Sequence, residues 1–334
     1  RITVPKLFSG LALAPCKGST MNPNTLWLDA NDRTALFVNQ WLPEGAPKGI
    51  VLLAHGMAEH SGRYGRLGTA LCEAEWGLYA HDQRGHGKTA EHHTQGHFAD
   101  EGGWSAVISD VGTLHQHIAQ NHPGVPVFLL GHSMGSYIAQ AYLMAHSDRL
   151  QGVILSGSNF QPVALYRAAS LIARFERRRQ GAKGRSALIE WLSFGSFNKA
   201  FKPNRTPFDW LSRDPDEVDA YARDPLCGFR CTNQLWVDLL DGLQQISKAS
   251  NLTRIDCDLP LLVIGGVCDP VSQGKRLEDL ANALRSAGSQ HLQLNLYPQA
   301  RHELFNEINR DEVTAEMIHW LDQALGHPRC LRNQ

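Results

Sequence analysis

Gly131-His132-Ser133-Met134-Gly135 is the stretch that most narrows what this chain can fold into. It is a G-x-S-x-G pattern, and its flanks matter more than the five residues themselves. Just before it, Val127-Phe128-Leu129-Leu130 is short, apolar and bounded by Pro126, as a buried strand is. Just after it, Ser136 to Ala145 reads as a buried helix. Strand, sharp turn and helix form the setting of a nucleophile elbow, where a strained serine backbone lifts its Oγ above the sheet edge. Glycine is expected on both sides because a side chain there collides with the neighbouring strand and helix. The helix start also directs its free N–H groups at the serine, where negative charge develops in acyl transfer. Outside that setting the same residues are only a glycine-rich turn.

The rest of the chain supplies a sheet for such an elbow. Thr34 to Trp41 reads as an early, partly exposed strand, ended by Pro43 and Gly45. Ile50-Val51-Leu52-Leu53 is continuously apolar, the mark of a strand covered on both faces. A helix pattern follows through Leu67, Ala70, Leu71 and Ala74 to a stop at Gly77, and then a strand at Leu78-Tyr79-Ala80. Val107, Ile108, Val111, Leu114 and Ile118 share one helical face, and Val153-Ile154-Leu155 is another short apolar strand. The alternation resumes with strands at Leu261–Ile264 and Leu292–Tyr297, each followed by a helix stripe. The fold class is therefore α/β, a mostly parallel sheet with helices on both faces.

Residues 159 to 250 break this rhythm. They hold helix fragments at Leu165 to Phe175, Leu188 to Phe201 and Pro215 to Ala222, the last begun by an Asp214 cap with Pro215 at the first position. The expected organisation is a core of residues 21–158 and 251–327 with a helical cap, 159–250, inserted over the site. Residues 1–20 are set apart as a leader, because Met21 follows Lys17-Gly18-Ser19-Thr20 and the short apolar stretch before Cys16 makes a poor export signal.

A serine is a weak nucleophile until a base takes its proton and a third group holds that base. In sheets of this kind the site lies beyond the carboxyl ends of the strands. Among sixteen histidines, His302 follows the last strand. Asp269 follows the strand before it, whereas Asp256 and Asp258 precede that strand and Asp279 falls inside a helix pattern. Ser133, Asp269 and His302 are thus the expected catalytic residues. The backbone amides of Met134, after the serine, and Met57, past an early core strand, are the expected oxyanion donors. His132 is assigned a structural role, with its side chain turned from the serine Oγ.

His55-Gly56-Met57-Ala58-Glu59-His60-Ser61-Gly62-Arg63-Tyr64 closely resembles the H-G-x-x-E-H-x-x-R-Y signature of monoacylglycerol lipases and related lysophospholipase-like hydrolases of the serine aminopeptidase S33 family. Asp82 with Gly85-His86-Gly87 resembles the D-x-x-G-H-G loop of the same family, and Gly131 to Gly135 its G-H-S-M-G elbow. The likeness runs from about residue 26 to 326. It implies an α/β-hydrolase fold, an ester substrate with a glycerol-like or small alcohol end, and no cofactor. It also implies that His55, Gly56, Glu59, His60 and Arg63 support the oxyanion loop. The position of Met57 is commonly small in that family, so Met57 is expected to narrow the acyl site.

The reading is a serine hydrolase cleaving monoacylglycerols, lysophospholipids or similar single-chain esters. An aminopeptidase on the same fold is the alternative, and it would use cap carboxylates such as Glu190, Asp209 or Asp219 to hold an amine. A non-catalytic binding protein is the third class. The net charge of −1 gives no electrostatic case for nucleic acid. Seven scattered cysteines suit free thiols in a reducing compartment, the cytoplasm, and Cys227 and Cys231 lack the partners of a zinc site, so no metal is expected. Arg174, Arg177, Arg178, Arg179, Lys183 and Arg185 crowd one stretch beside Leu171, Ile172 and Phe175, which suggests a peripheral contact with an anionic membrane. The sequence does not assign an oligomeric state.

Overall fold

The computed structural model describes residues 20–329, so the expected leader lies outside the described residues except for Thr20. Eight strands form one sheet in the order β1-β2-β4-β3-β5-β6-β7-β8. They are β1 (Asn24–Asp29), β2 (Ala35–Trp41), β3 (Gly49–Ala54), β4 (Trp76–His81), β5 (Val127–His132), β6 (Gly152–Ser156), β7 (Leu261–Gly266) and β8 (Leu292–Tyr297). The run from β4 to β8 is parallel, and β1 and β2 are antiparallel additions at one edge. β1 escaped the sequence reading. It pairs along β2, and this is why β2 is largely buried rather than partly exposed.

The continuously apolar strands are explained by two cores. Ile50 and Leu52 of β3 face one core and Val51 and Leu53 the other, because successive side chains point to opposite faces. On the first face lie α2 (Gly103–Asn121), α3 (Met134–His146) and α9 (Lys275–Ser286); on the second lie α1 (Gly65–Glu73) and α10 (Arg310–Leu325). The first helix stops at Glu73, earlier than expected, and Gly77 belongs to β4.

Between β6 and β7 come α4 (Val163–Gln180), α5 (Ala187–Ser193), α6 (Pro215–Arg223), α7 (Asn233–Ile246) and the short α8 (Ala249–Leu252). The fragment expected over Leu188 to Phe201 divides into α5 and a separate 3₁₀ turn at Phe197–Phe201. α7 was not anticipated. Leu235, Leu239, Leu243 and Ile246 recur at helical spacing, but polar Gln234 and Asp238 are buried too, and the helix is covered almost throughout between α4 and the α2–α3 layer. Thr232 caps it by accepting from the Leu235 N–H at 3.2 Å.

Candidate active site

Four strand ends converge. β5 delivers Ser133 at φ +51° and ψ −120°, a strained backbone for a residue with a Cβ. A Cβ on Gly135 would overlap the backbone of Ala54 and His55, and one on Gly131 would come within 2.7 Å of the Ser136 Cα, so both elbow glycines are required by space. β7 leads to Asp269 and β8 to His302, both buried. His302 Nε2 lies 2.9 Å from Ser133 Oγ, and His302 Nδ1 lies 3.0 Å from Asp269 Oδ2. Asp269 is held in turn by the Val271 N–H at 2.9 Å and the Ser272 hydroxyl at 3.1 Å. Burial alone would lower the affinity of His302 for a proton, but the Asp269 carboxylate outweighs it and raises the ring above its ordinary pKa. Asp279 instead sits in α9 facing Arg276.

β3 ends at Ala54 and opens into the loop carrying Met57. His55 accepts the Gln83 N–H on Nε2 at 2.9 Å, so its Nδ1–H donates to the Gly56 carbonyl at 2.8 Å. The Gly56 N–H donates to Glu59 Oε1 at 2.5 Å. These bonds use up the polar groups around Met57, and among the described residues no backbone carbonyl accepts the Met57 amide itself. Met134 is the first residue of α3, so its N–H belongs to the unpaired start of that helix.

Two of the residues expected to support this loop, Glu59 and Arg63, form one ionic network with Glu303. Arg63 donates to Glu59 at 2.8 Å and, in a two-pronged contact, to Glu303 at 2.7 and 2.6 Å. Glu303 directly follows His302, so the loop after β3 and the loop after β8 are tied together by one buried guanidinium. Burial would raise the Glu303 pKa, but Arg63 holds the carboxyl far below its usual range. His60 makes a different contact. Its Nε2 meets Asp224 Oδ2 at 3.0 Å while Nδ1 accepts the Gly62 N–H at 3.2 Å.

Two neighbours of His302 carry no signal in the sequence. The His132 ring lies 4.9 Å from the His302 ring, bonded to Ser156 Oγ at 3.3 Å. Burial pushes His132 down to about 3, so it stays neutral against its neighbour. Trp210, from the inserted segment, lies 5.1 Å from the His302 ring. The Glu303 N–H donates to the Leu211 carbonyl at 2.8 Å, fixing that segment to the loop that carries His302. No spacing in the sequence links residue 210 to residue 302.

Cys227 also gains neighbours that spacing could not reveal. His60, Asp224 and Cys227 bring possible ligand atoms within 4.8 Å of one another. His60 and Asp224 are bonded to each other, and Asp224 also accepts the Leu226 N–H at 2.8 Å. Burial pushes the Cys227 thiol up beyond its ordinary range, which makes it a poor nucleophile.

A family model described as serine aminopeptidase, S33 matches residues 45–309. The chain belongs to this family. The fold is that of the α/β-hydrolases. A monoglyceride lipase from Rattus norvegicus is 30% identical over 314 residues, 90% of this chain and 91% of that protein. A monoacylglycerol lipase from Mycolicibacterium smegmatis is 31% identical over 286 residues, 84% of this chain and 90% of that one. Among solved structures, a highly thermostable carboxyl esterase from Bacillus coagulans in complex with glycerol is 28% identical, with a TM-score of 0.84 over 92% of this chain and 100% of that chain.

Proposed function

We propose that this S33-family protein is a serine ester hydrolase that cleaves monoacylglycerols and similar single-chain acyl esters. The observation that carries the reading is the continuous contact from Asp269 through His302 to Ser133. Relatives named monoglyceride lipase and a carboxyl-esterase neighbour support the substrate class. His302 Nε2 takes the serine proton as Oγ attacks the ester carbonyl carbon. The Met57 and Met134 amides stabilise the negative charge that gathers on the carbonyl oxygen. The carbon–oxygen bond to the alcohol breaks, His302 returns the proton to that alcohol, and Ser133 keeps the acyl group. Water, deprotonated by the same histidine, then releases the fatty acid and restores the serine.

Residues 159–250 act as the cap in this reading. A line of rings, Trp210, Phe194 and Trp236, with centroids about 6 Å apart, leads away from His302. It ends beside an apolar cavity of about 120 Å³ lined by Ile172, Ile189, Leu192 and Leu240 among others. This apolar interior is suited to lining an acyl chain. The amide-hydrolase alternative finds less support, because Asp209 is taken up by the Arg205 and Thr206 amides and Asp219 pairs with Arg205 at 2.5 Å, which leaves half-buried Glu190 of the three cap carboxylates.

The same cap is the proposed contact with an anionic membrane. Leu171, Ile172, Phe175, Leu188, Trp191 and Leu192 stand exposed on α4 and α5. Beside them Arg174, Arg177 and Arg178 line an open hollow of about 720 Å³ that could take a phosphate, with Asp100 and Glu101 at its other side. The basic cluster is less free than the sequence implies: Arg174 pairs with Asp241, Arg179 with Glu176, and Lys183 approaches Asp100 at 3.6 Å. Exposed Arg178 has no charged partner among the described residues. None of their helices is long and apolar enough to cross a membrane.

Hydrolysis of a chain-length series of p-nitrophenyl and monoacylglycerol esters, set against amino-acyl amides, tests the substrate class. Acyl esters should give the higher kcat/KM. A preference for the amides would replace this reading with the peptidase one.

A further inference from the structure

The loop that carries Met57 is held from two sides, and only one of them is the sheet. Ala58 has a φ of +54°, the left-handed region that a residue with a Cβ occupies at a disadvantage of roughly fivefold or more. Such a backbone persists where its surroundings over-determine it. The Ala58 carbonyl accepts two hydrogen bonds, from the Gly228 N–H at 2.9 Å and from the Tyr221 hydroxyl at 2.9 Å. Both donors come from the segment inserted between β6 and β7.

Tyr221 lies in the last turn of α6 and is buried. Its ring lies under the Arg63 guanidinium at 4.8 Å and against the Phe208 ring at 5.0 Å. Arg63 is the group that ties Glu59 to Glu303. The hydroxyl is therefore aimed by the same guanidinium that joins the two catalytic loops. His60 and Asp224 add a second tie between the loop and the end of α6.

We propose that Tyr221 is a positioning residue for ester hydrolysis: with the Gly228 amide it fixes the strained Ala58 carbonyl, and so holds the Met57 N–H toward the forming oxyanion. This rests on the reading of Met57 as an oxyanion donor. It makes the α6 half of the insertion a fixed part of the catalytic frame rather than only a cover. Tyr221 touches no reacting atom. Its effect passes through one carbonyl.

The test uses the purified full chain, p-nitrophenyl butyrate as substrate, and turnover normalised to the sites titrated by a fluorophosphonate. Tyr221→Phe removes one oxygen and keeps the ring in place. The kcat should fall about fivefold, the effect of one hydrogen bond of ordinary net strength, while KM stays unchanged. Ala58→Gly added to Tyr221→Phe should restore most of the lost kcat, because glycine takes a left-handed backbone without a Cβ clash. A wild-type kcat in Tyr221→Phe, a change confined to KM, or no recovery with Ala58→Gly each overturns the proposal. Met57→Pro separates it from the reading beneath: if that variant is as active as Met57→Leu, it is the oxyanion assignment that has failed.

Discussion

Ser133 and Trp210 both stand against His302, yet they reach it by different routes. Ser133 is delivered by β5, whose neighbours β3 and β6 fix its height in the sheet, and by a turn that α3 continues. Trp210 arrives from a stretch with no strand. It is placed by bonds such as its own N–H to Asn198 Oδ1 at 2.9 Å and Glu303 N–H to the Leu211 carbonyl at 2.8 Å. One region is positioned by a repeating backbone pattern and the other by single contacts between distant residues. The consequence is chemical. In the proposed reading the strand ends carry the groups that move protons and charge, and the insertion supplies walls and braces around them.

That division can be broken or sharpened, and the largest effect should come at the strand ends. Ser133→Ala should lower turnover by at least about 10³ with the fold intact, since members of a relay act as a unit. Ester hydrolysis retained by folded, purified Ser133→Ala would place the nucleophile elsewhere. Next in size is the oxyanion loop. Met57→Pro deletes an amide donor and should raise the barrier by roughly 3 kcal/mol, whereas Met57→Leu should be mild.

A third effect, confined to the strand ends, is read by pH. Only the neutral His302 ring can take the serine proton, so activity should fall as the solution becomes acid. The Asp269 carboxylate raises the ring despite burial, so the midpoint of kcat/KM should lie above the ordinary histidine value of about 6.5. In Asp269→Asn the residual activity should show a midpoint displaced downward, together with a much lower kcat. Asp279→Asn should match wild type in both respects. An unmoved midpoint in Asp269→Asn would mean that another acid orients the base.

The smallest effect on chemistry, and the largest on location, should come from the cap. Arg177, Arg178 and Arg179 changed together to glutamate should weaken binding to anionic vesicles, which added salt should also weaken over a Debye length of about 8 Å. Hydrolysis of a soluble short-chain ester should be unaffected. Vesicle binding that ignores both salt and charge reversal would reduce the cluster to a solvated surface.

Much of this molecule is legible before any coordinates. Four-residue apolar runs announce β3, β5 and β7 because a strand covered on both faces has no polar positions to alternate. The G-x-S-x-G turn between a strand and a helix points to Ser133 for a steric reason that the overlap at Gly135 makes concrete. Asp269 and His302 follow from chain order, since parallel strands present all their carboxyl ends at one edge. β1 and α7 were missed for opposite reasons. β1 is a short edge strand with little burial of its own, whereas α7 has apolar residues at helical spacing but buries its polar positions Gln234 and Asp238 as well, so it has no solvent face. Only the tertiary structure decided that Arg63 joins Glu59 to Glu303, that Trp210 and His132 flank His302, and that Tyr221 reaches the Ala58 carbonyl. Each of these depends on where one side chain ends after some tens or hundreds of residues of chain have been folded. Hydrophobic period and turn chemistry are local properties, so the sequence carries them openly; a contact between distant side chains becomes definite only when the packed core fixes both of its ends.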